Sequence, residues 1–498
     1  MMLLEMAASS FPERVAVTSG DDRLTFGELF AAAGAAARDL RECGASHAAV
    51  LDVSSLALPV GLFGAAWAGV PFVPLNYRLT GAELDRLVAQ ISPAVLVTDA
   101  VRAASLAGRE GARVVARDAF LATARGGARV EGEWSTDPDD IAILLFTSGT
   151  TGPPKAAVLR HKHVVSYILG SVEFGSAAED DASLVSVPPY HIAGMSAIAS
   201  SVYSGRRIVQ LPAFSPEAWI DLVRREHITY AFLVPTMLAR IVDTLEAQGG
   251  ARLPTLRAIS YGGGKMPLSV IERAMRLLPE ARFTNAYGLT ETSATLTVLG
   301  PDDHRAAAAG SDPAVRRRLT SVGRPLPAVE IEIRDDEGKV VGPGVRGEIH
   351  ARGEQVSGEY LGRGSRTGPD GFFPTRDGGY VDDEGYLFLE GRIDDVIVRG
   401  GENLSPGEIE DVLLEHPGVL DCAVVGVPDE QWGEAVAAVV VRKPGQQPSP
   451  EDLRAFVTER LRSSRAPARI EFRAELPYNE TGKLLRRTVR EWLAGGSG

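Results

Sequence analysis

Ile141-Ala-Ile-Leu-Leu-Phe-Thr-Ser-Gly-Thr-Thr-Gly-Pro-Pro-Lys155 begins with six apolar residues and passes without a break into hydroxyl residues, glycine and proline. The run from Ile141 to Phe146 has the length and composition of a strand buried on both faces. Thr147, Ser148, Thr150 and Thr151 can offer side-chain and backbone donors to a polyphosphate, and Gly149 lets the chain come close to its oxygens. Lys155 adds a point charge. The spacing is not that of a P-loop, because no Gly-Lys-Ser/Thr closes the segment and no helix start follows it. The alternative for the segment taken alone is a polar turn after a strand.

On the N-terminal side of this stretch, and onward to about residue 320, short runs rich in Val, Ile and Leu (48–53, 94–97) alternate with Ala-rich amphipathic stretches such as 29–40. That alternation predicts parallel sheets covered by helices. From 322 to 389 the pattern becomes short alternating strands broken by Gly and Asp, which predicts a small antiparallel barrel or sheet. After Asp394 a third pattern begins: a helix near 405–415, strands at 421–427 and 435–441, and a helix over 450–462. The fold expected is therefore α/β, with a large N-terminal lobe (1–393) of two helix-covered sheets plus a small β-barrel, and a mobile α+β C-terminal domain (394–498). At 498 residues, the length also calls for more than one core, at roughly 150 residues per domain.

Composition narrows the function. The chain is 45% hydrophobic and 23% charged, as in ordinary globular proteins. Its 52 Lys and Arg against 65 Asp and Glu give a net charge of −13, which opposes extended binding to nucleic acid or an anionic membrane. An anionic substrate needs a local positive site. Cys43 and Cys422 have no paired spacing, so a reducing cytoplasm is expected. The N-terminus, interrupted by Glu5 and without a basic n-region, reads as an amphipathic helix and not a signal peptide. No run reaches the roughly 20 apolar residues of a membrane span.

Further motifs follow in order. Asn285-Ala-Tyr-Gly-Leu-Thr-Glu-Thr292 follows a predicted strand, Tyr261-Gly-Gly-Gly-Lys-Met-Pro267 is a glycine-rich turn, and Pro188-Pro-Tyr-His-Ile-Ala-Gly194 lies between them and the first stretch. Later come Phe373-Pro-Thr-Arg-Asp-Gly378, Gly391-Arg-Ile-Asp394, Arg399-Gly-Gly-Glu-Asn403 and Pro477-Tyr-Asn-Glu-Thr-Gly-Lys483. In kind and order this set resembles the adenylate-forming superfamily of acyl-CoA synthetases, aryl-CoA ligases, luciferases and peptide-synthetase adenylation domains. The resemblance covers nearly the whole chain.

The resemblance implies roles for particular residues. Thr147, Ser148, Gly149, Thr150, Thr151 and Lys155 would grip the pyrophosphate end of ATP. Gly262 and Gly263 would lie against adenine, Asn285 and Tyr287 would belong to the adenine segment with the Tyr287 ring stacking on the base, Thr290 would donate to the α-phosphate, and Glu291 would ligate Mg²⁺. Asp377 would hold the ribose hydroxyls, and Arg392 would reach ribose or phosphate. His191, Gly194, Lys265 and Ala286 would border the acyl pocket, with Lys265 as counter-charge for a polar acyl group. Asp394 would be the hinge, Gly400 and Gly401 would line the coenzyme A channel, and Lys483 would be the catalytic lysine. Lys265 and Arg376 depart from the family's usual uncharged residue and Gly.

The activity implied is ATP-dependent activation of a small carboxylic acid as its acyl-AMP, with release of pyrophosphate, followed by transfer to coenzyme A. The family also activates unusual acids of secondary metabolism. CoA is the first expectation for the acceptor, because no carrier domain follows Lys483; a separate acyl carrier protein or an amine is the alternative. A monomer or homodimer is expected.

Overall fold

The computed structural model describes all residues except 129–132, 148–154, 251, 480–481 and 495–498. Among the described residues, the branched apolar runs form two large sheets. The first has nine strands, of which Val15–Ser19, Arg207–Gln210, Ala182–Val185, Tyr230–Leu233, Ala258–Gly262 and Arg282–Tyr287 run parallel to their neighbours; antiparallel strands close both edges. The second has eight strands and includes the run that opened the sequence, now Ile141–Thr147, paired antiparallel with Lys155–Arg160 so that Thr147 faces Lys155. Its parallel part is Phe72–Pro74, His47–Leu51, Ala94–Thr98 and Ala112–Ala116.

Helices cover the sheets and bury their apolar stripes in one large cluster, with a separate one around Leu51, Leu84, Leu87 and Leu96 in the second sheet. The Ala-rich stretch forms helix Phe26–Glu42, started by a Thr25–Glu28 capping box, and its Leu29, Ala33, Ala36 and Leu40 are buried. Small residues let it approach helix Ala57–Ala68 closely: a Cβ on Gly64 would meet that of Ala36 at 2.9 Å. The N-terminus is helix Met2–Ser10, with Leu3, Leu4 and Ala7 buried. No helix among the described residues is long and apolar enough to cross a membrane.

The expected barrel or sheet is a four-stranded antiparallel sheet of Glu330–Arg334, Gly347–Arg352, Phe373–Val381 and Leu387–Arg392. Beyond it a five-stranded sheet centres on the long pair Val419–Asp429 and Gly433–Arg442, with Arg469–Arg473 joining in parallel. Helices Pro406–Glu415 and Pro450–Arg460 flank it. Each has a serine N-cap followed by proline, as the sequence pattern requires. This unit has its own apolar clusters on the two faces of its sheet, one around Ile409, Leu413, Val424 and Val440, the other around Val425, Val439, Val489 and Leu493.

One buried charge pair ties the C-terminal helix Arg486–Ala494 to this sheet. Glu410 accepts from Arg486 through both oxygens, at 2.5 and 2.8 Å, and also from the Val424 N–H at 2.7 Å; Arg486 donates in turn to the Val424 carbonyl. Removing one member strands the other, a loss of about 3–5 kcal/mol for buried pairs. Glu410→Ala is therefore expected to lower the unfolding free energy of the C-terminal unit by that order, read from its guanidinium transition; an unchanged midpoint would contradict this account.

Candidate active site

Strand ends from both large sheets, the four-stranded sheet and the C-terminal unit meet at one cavity of about 2000 Å³. Thr147 and Lys155 enter it from the hairpin of the second sheet; Ser148, Gly149, Thr150 and Thr151 lie outside the described residues. The Lys155 ammonium stands 5.8 Å from the centre of the Tyr360 ring. From the first sheet come Gly263, Ala286, Thr290 and Glu291. Tight backbone contact fixes this corner. A Cβ on Gly262 would stand 2.2 Å from the Ala286 carbonyl oxygen, and one on Gly288 only 1.6 Å from that of Ala294. Glycine is obligatory at both positions.

Glu291 begins the turn that displays it in the short helix Thr290–Thr292. Its carbonyl accepts from the N–H groups of Ser357 and Gly358, and one carboxylate oxygen accepts from the Tyr360 hydroxyl at 2.5 Å. Burial and this carboxylate push the Tyr360 phenol well up, so it stays a donor. Among the described residues the second carboxylate oxygen of Glu291 has no hydrogen-bond donor, which suits it to a cation. No cluster of three or more potential ligands occurs among the described residues. One carboxylate suits Mg²⁺, which is held chiefly by nucleotide phosphates and water.

Asp377 is placed by strand Phe373–Val381 and Arg392 by the strand beside it, the two directly opposite in register. Arg392 donates to Asp377 at 3.1 Å and to the Thr375 carbonyl at 3.1 Å. Burial raises the Asp377 pKa, and Arg392, the Tyr287 hydroxyl and Lys483 oppose that rise. Lys483 arrives from the C-terminal unit on a turn closed by the Asn479 side chain, which accepts from the Lys483 N–H at 2.8 Å. It lines the same cavity as Thr290, Glu291 and Arg392.

His191 lines the cavity, and burial lowers its pKa to about 4. It is uncharged at neutral pH. Asp394 also lines the cavity and accepts from Arg376 at 2.6 Å. Arg376, where glycine was the usual residue, keeps the left-handed conformation with φ of +64°. Gly400 and Gly401 form the positive-φ tip of the hairpin Ile397–Arg399 and Glu402–Leu404, outside the cavity; Gly400 lies against Trp432 while Gly401 faces open space.

Four residues have other places than the sequence implied. Lys265 does not line the cavity; it forms an ion pair with Asp411 on helix Pro406–Glu415, half exposed, so its charge is met by this chain and not by an acyl group. Asn285 and Tyr287 alternate with Ala286 and so point to the other face of the strand. Asn285 donates to the Ser321 carbonyl, and the Tyr287 ring is 8% exposed in an apolar cluster, so it offers no open face for stacking and reaches the site through its hydroxyl on Asp377 at 2.7 Å. Gly194 is buried against Pro188 and Pro189, where it allows the helix Ile192–Ser204 to pack closely. Tyr360, which orients Glu291, and Thr236, against which Gly482 packs, were not singled out by the sequence.

Thr147 and Lys155 at a strand end, the buried Asp377 paired with Arg392, and Lys483 supplied by the C-terminal unit form a site of the kind expected of an adenylate-forming ligase of the acyl- or aryl-CoA synthetase class. The chain belongs to the AMP-binding enzyme family, which it matches over residues 4–361, with the AMP-binding enzyme C-terminal domain over 408–483. It is 36% identical to a fatty acid–[acyl-carrier-protein] ligase of Streptomyces coeruleorubidus, over 88% of this chain and 84% of that one. It is 32% identical to a feruloyl-CoA synthase of Amycolatopsis, over 96% of each. Among solved structures, the o-succinylbenzoate CoA synthetase of Bacillus subtilis in complex with its acyl-adenylate intermediate is similar, with a TM-score of 0.84 and 30% identity over 98% of this chain and 97% of that one.

Two outcomes test these placements. Lys265→Ala is expected to change acid selectivity and pyrophosphate exchange by less than about fivefold, the scale of an exposed ion pair. His191→Asn is expected to shift KM for the acid without moving the acidic limb of the pH–rate profile, because the His191 pKa of about 4 lies below the assay range; a limb displaced by the variant would contradict a neutral His191.

Proposed function

We propose that this enzyme activates a small carboxylic acid at the cavity and passes the acyl group to coenzyme A, with residues 394–498 turning as one lobe about Asp394 on a larger lobe of residues 1–393. The reading is supported above all by Lys483, which comes from the C-terminal unit yet lines the cavity beside Thr290, Glu291 and Arg392. In the first half-reaction a carboxylate oxygen attacks the α-phosphorus of ATP, the bond to the bridging oxygen breaks, and pyrophosphate leaves. Lys483 neutralises the two anions that must approach, Thr290 donates to the α-phosphate, and Asp377 with Arg392 orients the ribose. Glu291 would hold Mg²⁺ together with the nucleotide phosphates, and the ion would supply charge neutralisation for the leaving pyrophosphate. The chain provides no nucleophile; positioning and charge carry the rate.

In the second half-reaction the thiol sulfur attacks the acyl carbon, the bond to AMP breaks, and the thiol proton passes to solvent. Gly400 and Gly401 are the residues assigned to the thiol arm after the turn of the lobe, and the open space at Gly401 is what favours them. The similarity to an acyl-carrier-protein ligase favours a second reading, in which a carrier thiol replaces CoA. A cytoplasmic location accords with the free thiols of Cys43 and Cys422.

At about 4 Å and an effective dielectric near 20, one charge is worth about 4 kcal/mol, or roughly three orders of magnitude in rate. Lys483→Ala is therefore expected to reduce ATP–pyrophosphate exchange by that order while thioester formation from supplied acyl-AMP persists. Gly401→Leu should show the reverse. Normal exchange in the lysine variant would sink the assignment, and AMP release without consumption of free CoA would favour the carrier.

A further inference from the structure

The nucleotide corner occupies only one end of the cavity. From it the floor runs back along the parallel strands of the first sheet, and period-two alternation decides which side chains face it. Stepping back from Ala286 gives Thr284 and Arg282, stepping back from Gly262 gives Ser260, and Tyr230 and Ser183 occupy the same face of the neighbouring strands; all but Gly262 line the cavity. Thr284, Ser260, Tyr230 and Ser183 thus put hydroxyls on the floor beside the ring of Phe232, a mixed surface less suited to a plain alkyl chain than a wholly apolar one. The Tyr230 hydroxyl and Ser260 lie 2.6 Å apart.

Arg206 stands at the far end, just before strand Arg207–Gln210, its guanidinium carbon 4.9 Å from the centre of the Tyr230 ring. Its neighbour Arg207 is neutralised by Glu226 at 2.7 Å. Arg206 is not: it lines the cavity, no acceptor for its side chain occurs among the described residues, and its Nε is buried without a partner. A guanidinium whose Nε is buried without a partner is stabilised by an oxyanion or carbonyl opposite it. The fork of donors matches a carboxylate. Tyr230 lies four register positions below Gly262, about 13 Å along strands that rise about 3.3 Å per residue, and its hydroxyl leans back towards Ser260.

We propose that Arg206 is a specificity-determining residue that receives a second carboxylate, so that the acid activated here is a dicarboxylic acid whose far group lies on the order of 10 Å from the reacting one. This rests on the acid-activating reading above and names its substrate class. The rival occupant is an apolar tail in the separate cavity of about 250 Å³ behind helix Ile192–Ser204, bounded by Met1, Leu3, Phe63, Trp134 and Met195.

The test is ATP–pyrophosphate exchange by the full chain over extended α,ω-dicarboxylic acids, aliphatic and aromatic, each against the monocarboxylic acid of matched length. Dicarboxylic acids should show the higher kcat/KM. Arg206→Leu should lower it on the order of a hundredfold for them, as for loss of one partner of a buried charge pair, and leave monocarboxylic acids and the KM for ATP near wild type. Arg206→Lys should restore part of the preference, and ATP-induced thermal stabilisation of both variants shows that the site is intact. Efficient turnover of monocarboxylic acids with equal or better kcat/KM, or an unchanged preference in Arg206→Leu, would overturn this assignment alone. Absence of exchange with every acid would overturn the activity itself.

Discussion

The turn that carries Lys483 meets the large lobe through a glycine. A Cβ on Gly482 would lie 2.7 Å from Thr236 Oγ1, and Gly482 itself has a φ of +70°. One on Gly264 would stand 3.5 Å from the Gly482 carbonyl oxygen. The backbone at Gly264 and the short, branched side chain of Thr236 therefore set how near the lysine comes. Behind the turn, Tyr478 donates to Asp421 at 2.9 Å and Arg486 is clamped by Glu410. A flexible ammonium is thereby mounted on a rigid base, which positioning catalysis requires.

The cavity reverses the sign of the molecule around it. A chain with a net charge of −13 would repel ATP and a carboxylate at long range, yet Lys155, Arg376, Arg392 and Lys483 all face one space. Of the anions at its wall, Glu291 accepts from Tyr360 and Asp394 from Arg376, while Asp377 lies buried behind Arg392 and Tyr287, so each has hydrogen-bond donors of its own. Local placement outweighs net charge because the groups are close and partly desolvated.

The architecture and the order of motifs were legible because both depend on local patterns: apolar runs against amphipathic ones, and turn residues between them. The functions of single side chains were less so, for two physical reasons. In a strand the side one faces changes with every residue, so Ala286 lines the cavity while Asn285 and Tyr287 do not, and only the sheet's register decides which. Partners distant in sequence decide the rest. Lys265 looked like a free counter-charge because Asp411 lies in another unit, and Tyr360 gave no sign of Glu291. The pair Arg206-Arg207 offered a weak signal, two cations before a strand, but which one Glu226 satisfies depends on folding.

The ion pairs fall into a hierarchy that suits a lobe that turns as a unit. Contacts across the boundary, Lys265 with Asp411 and Arg346 with Glu408, each have a basic side chain that keeps about half its exposure. Such pairs are worth about 0–1 kcal/mol each, since water can replace either partner. Arg376 with Asp394 is of the same kind and sits at the proposed pivot itself. Within the C-terminal unit the pairs of Arg486 with Glu410 and with Asp395, the residue that follows the pivot, are largely buried. Breaking one of these costs about 3–5 kcal/mol. A rotation that exchanges the exposed pairs and keeps the buried ones is thus the low-energy route, and it would carry Lys483 out of the cavity without loosening the turn that holds it.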